Sequence, residues 1–381
     1  MDRRKIFISA GEASGEHYAA QLIPAIRNLA PDTEFFGLGG QRMETLGFRR
    51  IVRAEDVAIM GITEIIRHIP RIYGEYRKLK ASIAREQPDA AILIDFPDVN
   101  LSLARTLHKL GIPVIYFVSP QLWAWKKYRI HRVRRYVDRM LVIFPFEESF
   151  YREHGVNATF VGHPLVEVPT PSISRKDFAD QYCLDPSKSW VGLLPGSRFK
   201  EIRLNLPEMI EAASQLQKPV EFLLPLAPTL TPEQVVRVRA MLPANGPRIT
   251  PVNDARAALH HARASVVASG TATVEAALIG NPFVVVYRVS GLTYSVAKRV
   301  VKVPHVAMVN LIAGREVVPE LIQSDFTARN VVSHLQNLLH NEPARSQVQA
   351  DLAQISASLQ GIHSPIEQVA GITVELMGPA R

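Results

Sequence analysis

Carboxylates that follow apolar segments are the groups in this chain best suited to proton transfer. Asp95 and Asp98 stand three residues apart in LIDFPDVN, directly after the apolar run AAILI. A carboxylate at the end of a buried strand can accept a proton from an attacking hydroxyl, and Asp95 ends such a strand in the predicted fold. Asp98 or Asn100 could instead cap the following helix. The D-x-x-D pair could also hold a divalent metal, but no further ligand cluster supports one.

A glycine-rich turn near the start of the chain carries two more acids. The stretch GEASGEH, residues 11–17, follows the apolar segment KIFISA and opens an amphipathic pattern. That layout is typical of a turn that binds phosphate at a helix N-terminus. Glu12 and Glu16, however, stand where an anion would sit, so the turn indicates a ligand that needs carboxylates beside it.

The second half of the chain contains a turn suited to an anion. LLPGSRFKEI leads from an apolar strand pattern into a helix. Gly196 lets the backbone approach a ligand, the helix start beside Ser197 attracts negative charge, and Arg198 can bind a phosphate through two nitrogens. Because an arginine at a helix start opposes the helix dipole, the pattern favours anion binding over a plain turn.

A similar turn occurs in ASGTATVEAALIGNP. Ser269, Gly270 and Thr271 offer small side chains and free amides for phosphate, and Glu275, one turn later, can accept two hydrogen bonds from a vicinal diol such as ribose. Glu275 could also be an ordinary surface residue. Two such turns in one half make a nucleoside diphosphate the economical ligand. The chain has no G-x-x-x-x-G-K-[ST] motif and only a partial G-x-G-x-x-G, which argues against an ATPase or a dehydrogenase.

Two segments of the first half suit an anionic, lipid-like surface. Aromatic rings and cations alternate in one of them, at Trp123, Trp125, Lys126, Lys127 and Arg129. The other spaces apolar side chains as an amphipathic helix does, at Met60, Ile62, Ile65, Ile66 and Ile69, before a basic run. An ordinary core-facing helix and a solvated basic face are the alternatives. Nucleic acid is the poorer explanation because no recognised binding motif accompanies the charge.

The elements that must position these residues alternate between strand and helix patterns from end to end. Nearly all-apolar strands in β-α-β order predict two parallel, doubly wound α/β sheets with a cleft between two lobes. We expect a first domain at residues 1–165, a connection at 166–187 and a second domain at 188–360. Three helical patterns close the chain, and the last, at residues 364–381, could pack back on the first domain.

Composition narrows the class of protein further. At 381 residues the chain is longer than one ordinary core needs. Its one cysteine, Cys183, excludes an internal disulfide framework and a cysteine metal cluster. Neither a signal peptide nor a membrane-spanning run is evident, so we expect a cytoplasmic protein. The net charge of +8 is concentrated in WKKYRIHRVRRYVDR, which indicates an anionic partner.

These motifs together resemble the lipid-A-disaccharide synthases, which are glycosyltransferases with the GT-B fold. The similarity covers nearly the whole chain in family order and is carried by GEASGE (11–16), MGITEI (60–65), IDFPDVN (94–100), VSPQLWAW (118–125), GHP (162–164), LLPGSR (193–198), SGTATVE (269–275) and NLIAGREVVPELIQ (310–323). Glu16 departs from the pattern, where the family would have aspartate; the charge is kept on a longer side chain.

The resemblance implies an activity. UDP-2,3-diacylglucosamine would donate its sugar to the 6-hydroxyl of 2,3-diacylglucosamine 1-phosphate, giving a β-1,6-linked disaccharide 1-phosphate and UDP. The family inverts the anomeric carbon without an essential metal, so neither a cofactor nor a metal is expected. Its members are peripheral to the inner membrane and tend to form homodimers through exchanged C-terminal elements.

The resemblance also implies roles for residues of the second domain. Gly196, Ser197, Arg198 and the amides of Ser269–Thr271 would bind the UDP diphosphate, and Glu275 would hold the ribose. A family motif places Asn310, Arg315 and Glu316 in the donor site, from this subunit or its partner. Arg198, Arg288 and Arg315 compete for the acceptor phosphate.

The first domain would then bind the acceptor. Asp95 is the first candidate for the general base and Asp98 the second. Glu12 and Glu16 would orient the sugar hydroxyls, and either could replace Asp95 as base. Ser14 and the aromatic, basic and isoleucine-rich positions named above would face the acceptor and the membrane.

Two other functions compete with this one. A UDP-sugar epimerase of the same two-lobed fold would have a soluble substrate and would leave the isoleucine-rich basic segment without a purpose. A peripheral membrane protein that uses a nucleotide as a switch would leave Asp95 and LLPGSR unassigned. Turnover of an acylated donor separates the synthase from both.

Overall fold

The computed structural model of the protein describes residues 3–54, 62–216, 219–291, 294 and 303–378, with the backbone alone over residues 62–72. The chain forms two compact units. Unit 1 consists of Met1–Glu167 and Leu359–Arg381, and unit 2 consists of Val168–Ser358. Each unit contains one sheet in which every strand pair is parallel.

Unit 1 alternates strands with helices. Its strands are β1 (Lys5–Ala10), β2 (Glu34–Gly39), β3 (Phe48–Arg53), β4 (Ala90–Ile94), β5 (Val114–Phe117), β6 (Arg139–Val142) and β7 (Ala158–Phe160). Its helices before the crossing into unit 2 are α1 (Ala13–Leu29), α2 (Gln41–Glu44), α3 (Ile62–Glu86), α4 (Pro97–Lys109), α5 (Ile130–Tyr136) and α6 (Pro145–Glu153).

The strand order of unit 1 brings two of the predicted motifs together. The sheet runs β3-β2-β1-β4-β5-β6-β7, so the winding direction reverses between β1 and β4. Ala10 at the end of β1 pairs with Ile94 at the end of β4. Gly11 and Asp95 therefore leave the sheet side by side, at the switch point where doubly wound sheets bind ligands.

Unit 2 repeats this architecture. Its strands are β8 (Ser189–Leu194), β9 (Val220–Pro225), β10 (Ile249–Val252), β11 (Ala264–Ala268), β12 (Phe283–Tyr287) and β13 (Glu320–Ile322). Its helices are α7 (Arg175–Tyr182), α8 (Phe199–Gln215), α9 (Pro232–Arg239), α10 (Ala255–His261), α11 (Thr271–Ile279), α12 (Met308–Ala313), α13 (Ala328–His340) and α14 (Glu342–Ser358).

The switch point of unit 2 lies between β8 and β11, because its sheet runs β10-β9-β8-β11-β12-β13. Leu194 at the end of β8 pairs with Val267 near the end of β11. The turns that begin at Pro195 and at Ser269 therefore leave adjacent strands at the same edge. Each of the two sheets thus places a pair of predicted ligand-binding turns at its own switch point.

Burial on both faces explains the apolar strands. Ile92, Leu93 and Ile94 are all fully buried, although successive side chains of a strand point to opposite faces. Helices cover both faces of a parallel sheet, so no polar side is needed. The doubly wound α/β architecture predicted from the sequence is confirmed for each unit.

The chain returns to unit 1 at its C-terminal end. Helix α15 (Pro365–Met377) packs against α1, and Arg4 donates a hydrogen bond to the Gly378 carbonyl at 2.8 Å. Gly162 has a φ of +89°, and a Cβ atom there would lie 2.6 Å from the Gly361 nitrogen. Glycine at residue 162 therefore permits the close contact between the segment after β7 and the segment before α15.

Two edge strands were not predicted from the sequence. The strand β3, FRRIVR, contains three arginines and lacks the continuous apolar run of the central strands. It lies at the edge of the sheet, where several of its side chains are exposed, so its sequence need not be apolar. The strand β13 has three residues, too few to show a pattern. Both complete an edge of a sheet whose centre the sequence does predict.

Candidate active site

Asp95 is a half-buried acid at the switch point of unit 1. Burial raises the pKa of its carboxyl group to about 7, and the charge of Glu12 acts in the same direction, while the Phe96 amide opposes both. A group whose pKa lies near neutrality can both take up and release a proton, as a general base must. The position predicted for Asp95 by the sequence, at the end of a buried strand, is the observed one.

The turn after β4 has an unusual backbone. Asp95 and Phe96 have φ values of 45° and 48°, in the left-handed region that non-glycine residues rarely occupy. The ring of Phe96 lies against Gly11, where a Cβ atom would come within 2.4 Å of the ring. The first glycine of GEASGE is therefore required because the β4–α4 turn fills the space that a side chain would take.

Asp98 is exposed and paired, unlike Asp95. Its side chain is 70% exposed and forms an ion pair and a hydrogen bond with Arg129. Neither Asp98 nor Asn100 caps α4, whose N-cap residue is Phe96. Asp98 is therefore engaged by a neighbouring side chain, and no such ion pair is found for Asp95 among the described residues.

The acids of the first turn have different surroundings. Glu12 is the N-cap residue of α1 and is half-buried near Asp95. Glu16 accepts a hydrogen bond from the Arg42 amide at 2.9 Å, and a Cβ atom on Gly40 would meet its carboxylate at 2.3 Å. Glu16 thus joins α1 to the turn after β2, whereas Glu12 lies close to the candidate base. Ser14 is exposed in the first turn of α1.

Glu147 is a buried acid that the sequence analysis missed. It lies in the first turn of α6 and accepts hydrogen bonds from the Ser119 hydroxyl at 2.6 Å and the Trp123 indole at 3.0 Å. It also accepts one from the Phe144 amide at 3.3 Å. Burial raises the pKa of Glu147 to about 7 despite these bonds. The signal was present in FPFEE, where proline begins a helix and an acid follows two residues later, as in a capping box.

The predicted aromatic and basic segment divides into inward and outward side chains. Trp123 faces Glu147 and packs edge-on against Phe146, so it belongs to the interior of unit 1. Trp125 is 41% exposed, with the Lys126 ammonium 4.1 Å from its ring centre, and Lys127 is exposed beside it. Arg129 is held by Asp98. Trp125, Lys126 and Lys127 are therefore the members available to a surface.

The second predicted surface segment lies outside the described side chains. Met60 is not among the described residues, and only the backbone is described at Ile62, Ile65, Ile66 and Ile69, within α3. Their assignment to an acceptor or membrane surface stays a prediction.

In unit 2 an internal acid occupies the turn after β8. Gly196 has a φ of +125°, and the Glu201 carboxylate accepts hydrogen bonds from the Ser197 and Arg198 amides at 3.1 and 3.3 Å. The Arg198 guanidinium also donates to Glu201, at 3.2 Å, and is about half exposed. The carboxylate therefore lies where the sequence predicts a phosphate, which shows that these donors converge on an anion.

The turn after β11 is more open. Gly270 has a φ of +148°, and nothing lies within 4 Å of the position that its Cβ would take. Thr271 is exposed at the start of α11, and the Ser269 hydroxyl contacts the Val306 carbonyl at 3.5 Å. Burial raises the pKa of Glu275, while Arg256 opposes and Asp254 adds to that effect. No hydrogen bond to the Glu275 carboxylate is found among the described residues, so it is available to a ligand's hydroxyls.

The residues of NLIAGREVVPELIQ serve mainly internal contacts. Asn310 is fully buried and donates to the Val318 carbonyl and the Glu320 carboxylate, while its oxygen accepts from the amides of Val317 and Val318. These bonds use every donor and acceptor of its side chain. Arg315 pairs with Asp351 at 2.8 Å, and Glu316 is exposed. The side chain of Asn310 therefore fixes this loop, and the predicted place of the loop in the donor site stays a prediction.

The three arginines predicted to compete for the acceptor phosphate are all paired. Arg198 contacts Glu201, Arg288 contacts Glu208 with two nitrogens at 3.2 Å, and Arg315 contacts Asp351. All three belong to unit 2, whereas the acids predicted to bind the acceptor belong to unit 1. The structure does not favour any one of them for that phosphate.

Two general features of the described residues bear on the chemistry. No three His, Cys, Asp or Glu side chains in the described ranges converge as a metal ion would require. Within the same ranges, no helix has the length and apolar content that crossing a bilayer demands.

Comparison with known proteins decides the family. The sequence profile described as "Lipid-A-disaccharide synthetase" matches residues 6–371. A lipid-A-disaccharide synthase of Acidobacterium capsulatum is 70% identical over 365 residues, covering 93% of this chain and 91% of the relative. The chain belongs to the lipid-A-disaccharide synthase family. A synthase of Myxococcus xanthus is 42% identical over 99% of this chain and 98% of its own.

Solved structures agree on the fold. A transferase from Siraitia grosvenorii in complex with UDP matches with a TM-score of 0.60 at 12% identity, over 98% of this chain and 99% of its own. The UDP-GlcNAc 2-epimerase of Neisseria meningitidis, bound to UDP-GlcNAc, has a TM-score of 0.56 at 12% identity, over 97% and 98% of the two chains. At such identities the similarity shows the fold alone.

Family membership confirms the resemblance seen in the sequence motifs, and the predicted GT-B fold is confirmed. The chain is a glycosyltransferase of lipid A biosynthesis. The competing epimerase and nucleotide-switch functions are therefore set aside, although epimerases share the fold.

Proposed function

We propose that the enzyme transfers the sugar of UDP-2,3-diacylglucosamine to the 6-hydroxyl of 2,3-diacylglucosamine 1-phosphate with inversion, forming a β-1,6-linked disaccharide 1-phosphate and UDP. The observation that carries this proposal is Asp95, a half-buried acid at the switch point of unit 1, whose pKa is raised to about 7. Unit 1 would bind the acceptor and unit 2 the donor.

The reaction requires one proton transfer. The 6-oxygen of the acceptor forms a bond to the anomeric carbon of the donor while the bond from that carbon to the UDP phosphate oxygen breaks. The hydroxyl proton passes to the Asp95 carboxylate, and the bonding electrons leave with UDP. Attack from the face opposite to UDP inverts the anomeric centre. Glu12, half-buried beside Asp95, would accept a hydrogen bond from another acceptor hydroxyl.

Unit 2 would hold the leaving UDP. Arg198 and the Ser197 amide already converge on a carboxylate, which a diphosphate would replace. The open space at Gly270 lets a phosphate approach the start of α11 beside Ser269 and Thr271. Glu275 would accept hydrogen bonds from the ribose. A transferase of the same fold was solved in complex with UDP, which is consistent with a nucleotide ligand for this fold.

Arg198→Ala is expected to weaken UDP binding about tenfold and to lower turnover with it, because a charge-assisted hydrogen bond to phosphate is lost. The expected loss of affinity is near the low end for a charge-assisted hydrogen bond, because Arg198 must give up its ion pair with Glu201 when it binds phosphate. Calorimetric titration with UDP measures it. Arg203→Ala on the exposed side of α8 is the matched control and should change the Kd less than twofold. Equal affinities for the two variants would contradict the assignment.

We propose further that the enzyme is cytoplasmic, peripheral to the inner membrane and homodimeric. Trp125 and Lys127 are exposed and Lys126 is half-buried over the Trp125 ring, so the three form an aromatic and cationic group that suits anionic headgroups. Both proposed substrates carry acyl chains, so a membrane surface is where they would be found. The exchange of C-terminal elements in the dimer is a family property that this proposal adopts.

The double variant Lys126→Ala, Lys127→Ala is expected to bind phosphatidylglycerol vesicles about thirtyfold more weakly, because each of the two cations contributes about 1 kcal/mol near an anionic surface. Lys109→Ala removes an exposed charge from the last turn of α4 and serves as the control. Co-sedimentation at two salt concentrations measures the difference. Identical binding of the double variant and the wild type would refute this surface.

The function itself is tested by turnover. Purified enzyme, detergent and a chelator are incubated with both acylated substrates, and UDP release and product mass are followed. The expected product is the disaccharide 1-phosphate, formed at an undiminished rate in the chelator. Release of UDP without disaccharide, or no product from an enzyme that binds UDP, would overturn the proposal.

A further inference from the structure

The turn that carries Asp95 is held in a conformation that its own residues disfavour. Asp95 and Phe96 occupy the left-handed region in succession, at φ values of 45° and 48°. Such conformations persist only when the surrounding structure holds them, and they are common at active sites. Groups from neighbouring elements must therefore hold this turn.

Two side chains meet at a single backbone atom of the turn. The Tyr116 hydroxyl donates a hydrogen bond to the Asp95 carbonyl oxygen at 2.5 Å. The Asn100 amide nitrogen donates to the same oxygen at 2.7 Å. Both lone pairs of that carbonyl are therefore engaged, and they are engaged from different elements, β5 and α4.

Asn100 is itself fixed by the neighbouring strands. It is fully buried, its oxygen accepts from the Ser9 hydroxyl at 2.6 Å, and its nitrogen also contacts the Ile94 carbonyl at 3.1 Å. Tyr116 is fully buried in β5. The Asp95 carbonyl is thus connected to β1, β4 and β5 together, and the turn cannot rotate without breaking buried hydrogen bonds.

We propose that Asn100 and Tyr116 are positioning residues, which hold the Asp95 carbonyl so that the carboxyl group of the same residue faces the acceptor hydroxyl. Neither would touch the substrate. The inference rests on the proposed role of Asp95 as the base. It gives Asn100 a function in IDFPDVN other than capping α4.

The surroundings of the turn determine what its relaxation would do. The charged and titratable groups around it are Glu12 before α1, Tyr116 in β5, and the Asp98–Arg129 pair from α4 and the segment before α5. Burial is the largest cause of the raised pKa of Asp95. If the turn relaxed towards solvent, the pKa of Asp95 would fall towards its ordinary value, and the protonated form would be lost at lower pH.

Tyr116→Phe tests the inference with the removal of one oxygen atom. We expect kcat to fall about tenfold to a hundredfold, as misplacement of a catalytic group does, with KM for both substrates within about twofold. The acidic limb of the kcat profile should move about one pH unit lower. Tyr151→Phe is the matched control, since this buried tyrosine also donates to a backbone carbonyl, that of Pro120 at 3.0 Å.

A second variant and a second readout keep the outcomes distinct. Asn100→Ser should lower kcat in the same way if it folds. The pKa of Asp95 can be followed by carboxyl carbon NMR of labelled enzyme, assigned with Asp95→Asn, and it should fall in Tyr116→Phe without any substrate. An unchanged NMR pKa and pH limb, with stability reduced as in Tyr151→Phe, would overturn the inference.

Failure of the proposed function looks different. A wild-type enzyme that forms no disaccharide would remove the role of Asp95 as base, while the NMR pKa would still report whether Tyr116 positions its carboxyl group. An active wild type with kcat and pKa untouched by Tyr116→Phe would remove the positioning role alone.

Discussion

Asp95→Asn is expected to lower kcat about a thousandfold, within the range that positioned general bases contribute. The amide matches the carboxyl group in shape but cannot take the hydroxyl proton. UDP affinity should stay within about twofold, since the donor contacts proposed above belong to unit 2. Steady-state assays with both substrates and calorimetric titration with UDP measure the two quantities.

The same variant should gain stability at high pH. The pKa of Asp95 is raised from 3.8 to about 7, so its ionised form is the unfavourable one in the folded state. The neutral asparagine avoids that cost, and we expect the free energy of unfolding at pH 8 to rise by about 1–3 kcal/mol. A variant that loses activity but gains stability has lost a functional group. A substitution that merely damaged the fold would lower the activity and the stability together.

The pH dependence of wild-type turnover follows from the same group. Only ionised Asp95 can accept a proton, so kcat should rise with pH and reach half its plateau near pH 7. A limb near pH 4 would instead point to an exposed acid. Asp98→Asn provides the comparison, and it should lower kcat less than tenfold. If it lowered kcat as much as Asp95→Asn does, Asp98 would be the better candidate for the base.

Glu147→Gln is expected to change how stability depends on pH. The pKa of Glu147 is raised from 4.5 to about 7 on folding. Between these values the folded protein binds a proton that the unfolded chain has released, so the contribution of Glu147 to stability is lost as pH rises through about 7. Glutamine cannot ionise. The unfolding free energy of the variant minus that of the wild type should therefore increase by about 2 kcal/mol between pH 5 and pH 8.

Subtracting the unfolding free energy of the wild type removes the pH dependence that other titratable groups contribute to both proteins. Burial lowers the pKa of His163 to about 3, which makes stability fall as pH drops below the ordinary value of 6.5 and so opposes the effect of Glu147. His163 is present in both proteins. At pH 5 the variant should be the less stable one by about 1 kcal/mol, since glutamine cannot satisfy the donors of Ser119, Trp123 and Phe144 together. Urea unfolding at pH 5, 6.5 and 8 measures the difference, and a difference independent of pH would show that Glu147 is ionised throughout.

The turns proposed to bind the donor could be placed in the fold from the sequence because their signal is local. A glycine between a strand and a helix, followed by an arginine or by small hydroxyl side chains, predicts an anion-binding turn from a few neighbouring residues. The turns at Gly196 and Gly270 accordingly lie at the switch point of unit 2. What the sequence could not show was Glu201 in the first of these turns, because an acid three residues after Arg198 reads equally well as a surface residue.

The sequence by itself determined the family, the parallel sheets and the position of Asp95 at the end of a buried strand, since apolar runs and turn residues act within a few positions of one another. Only the tertiary structure decided which acid is half-buried and which is exposed and paired. It separated Asp95 from Asp98, bound Asn310 internally, and brought Tyr116 and Glu147 to polar groups 21 and 24 residues away in the chain. Burial and hydrogen bonding between distant segments determine these roles, and neither leaves a pattern along a single stretch of sequence.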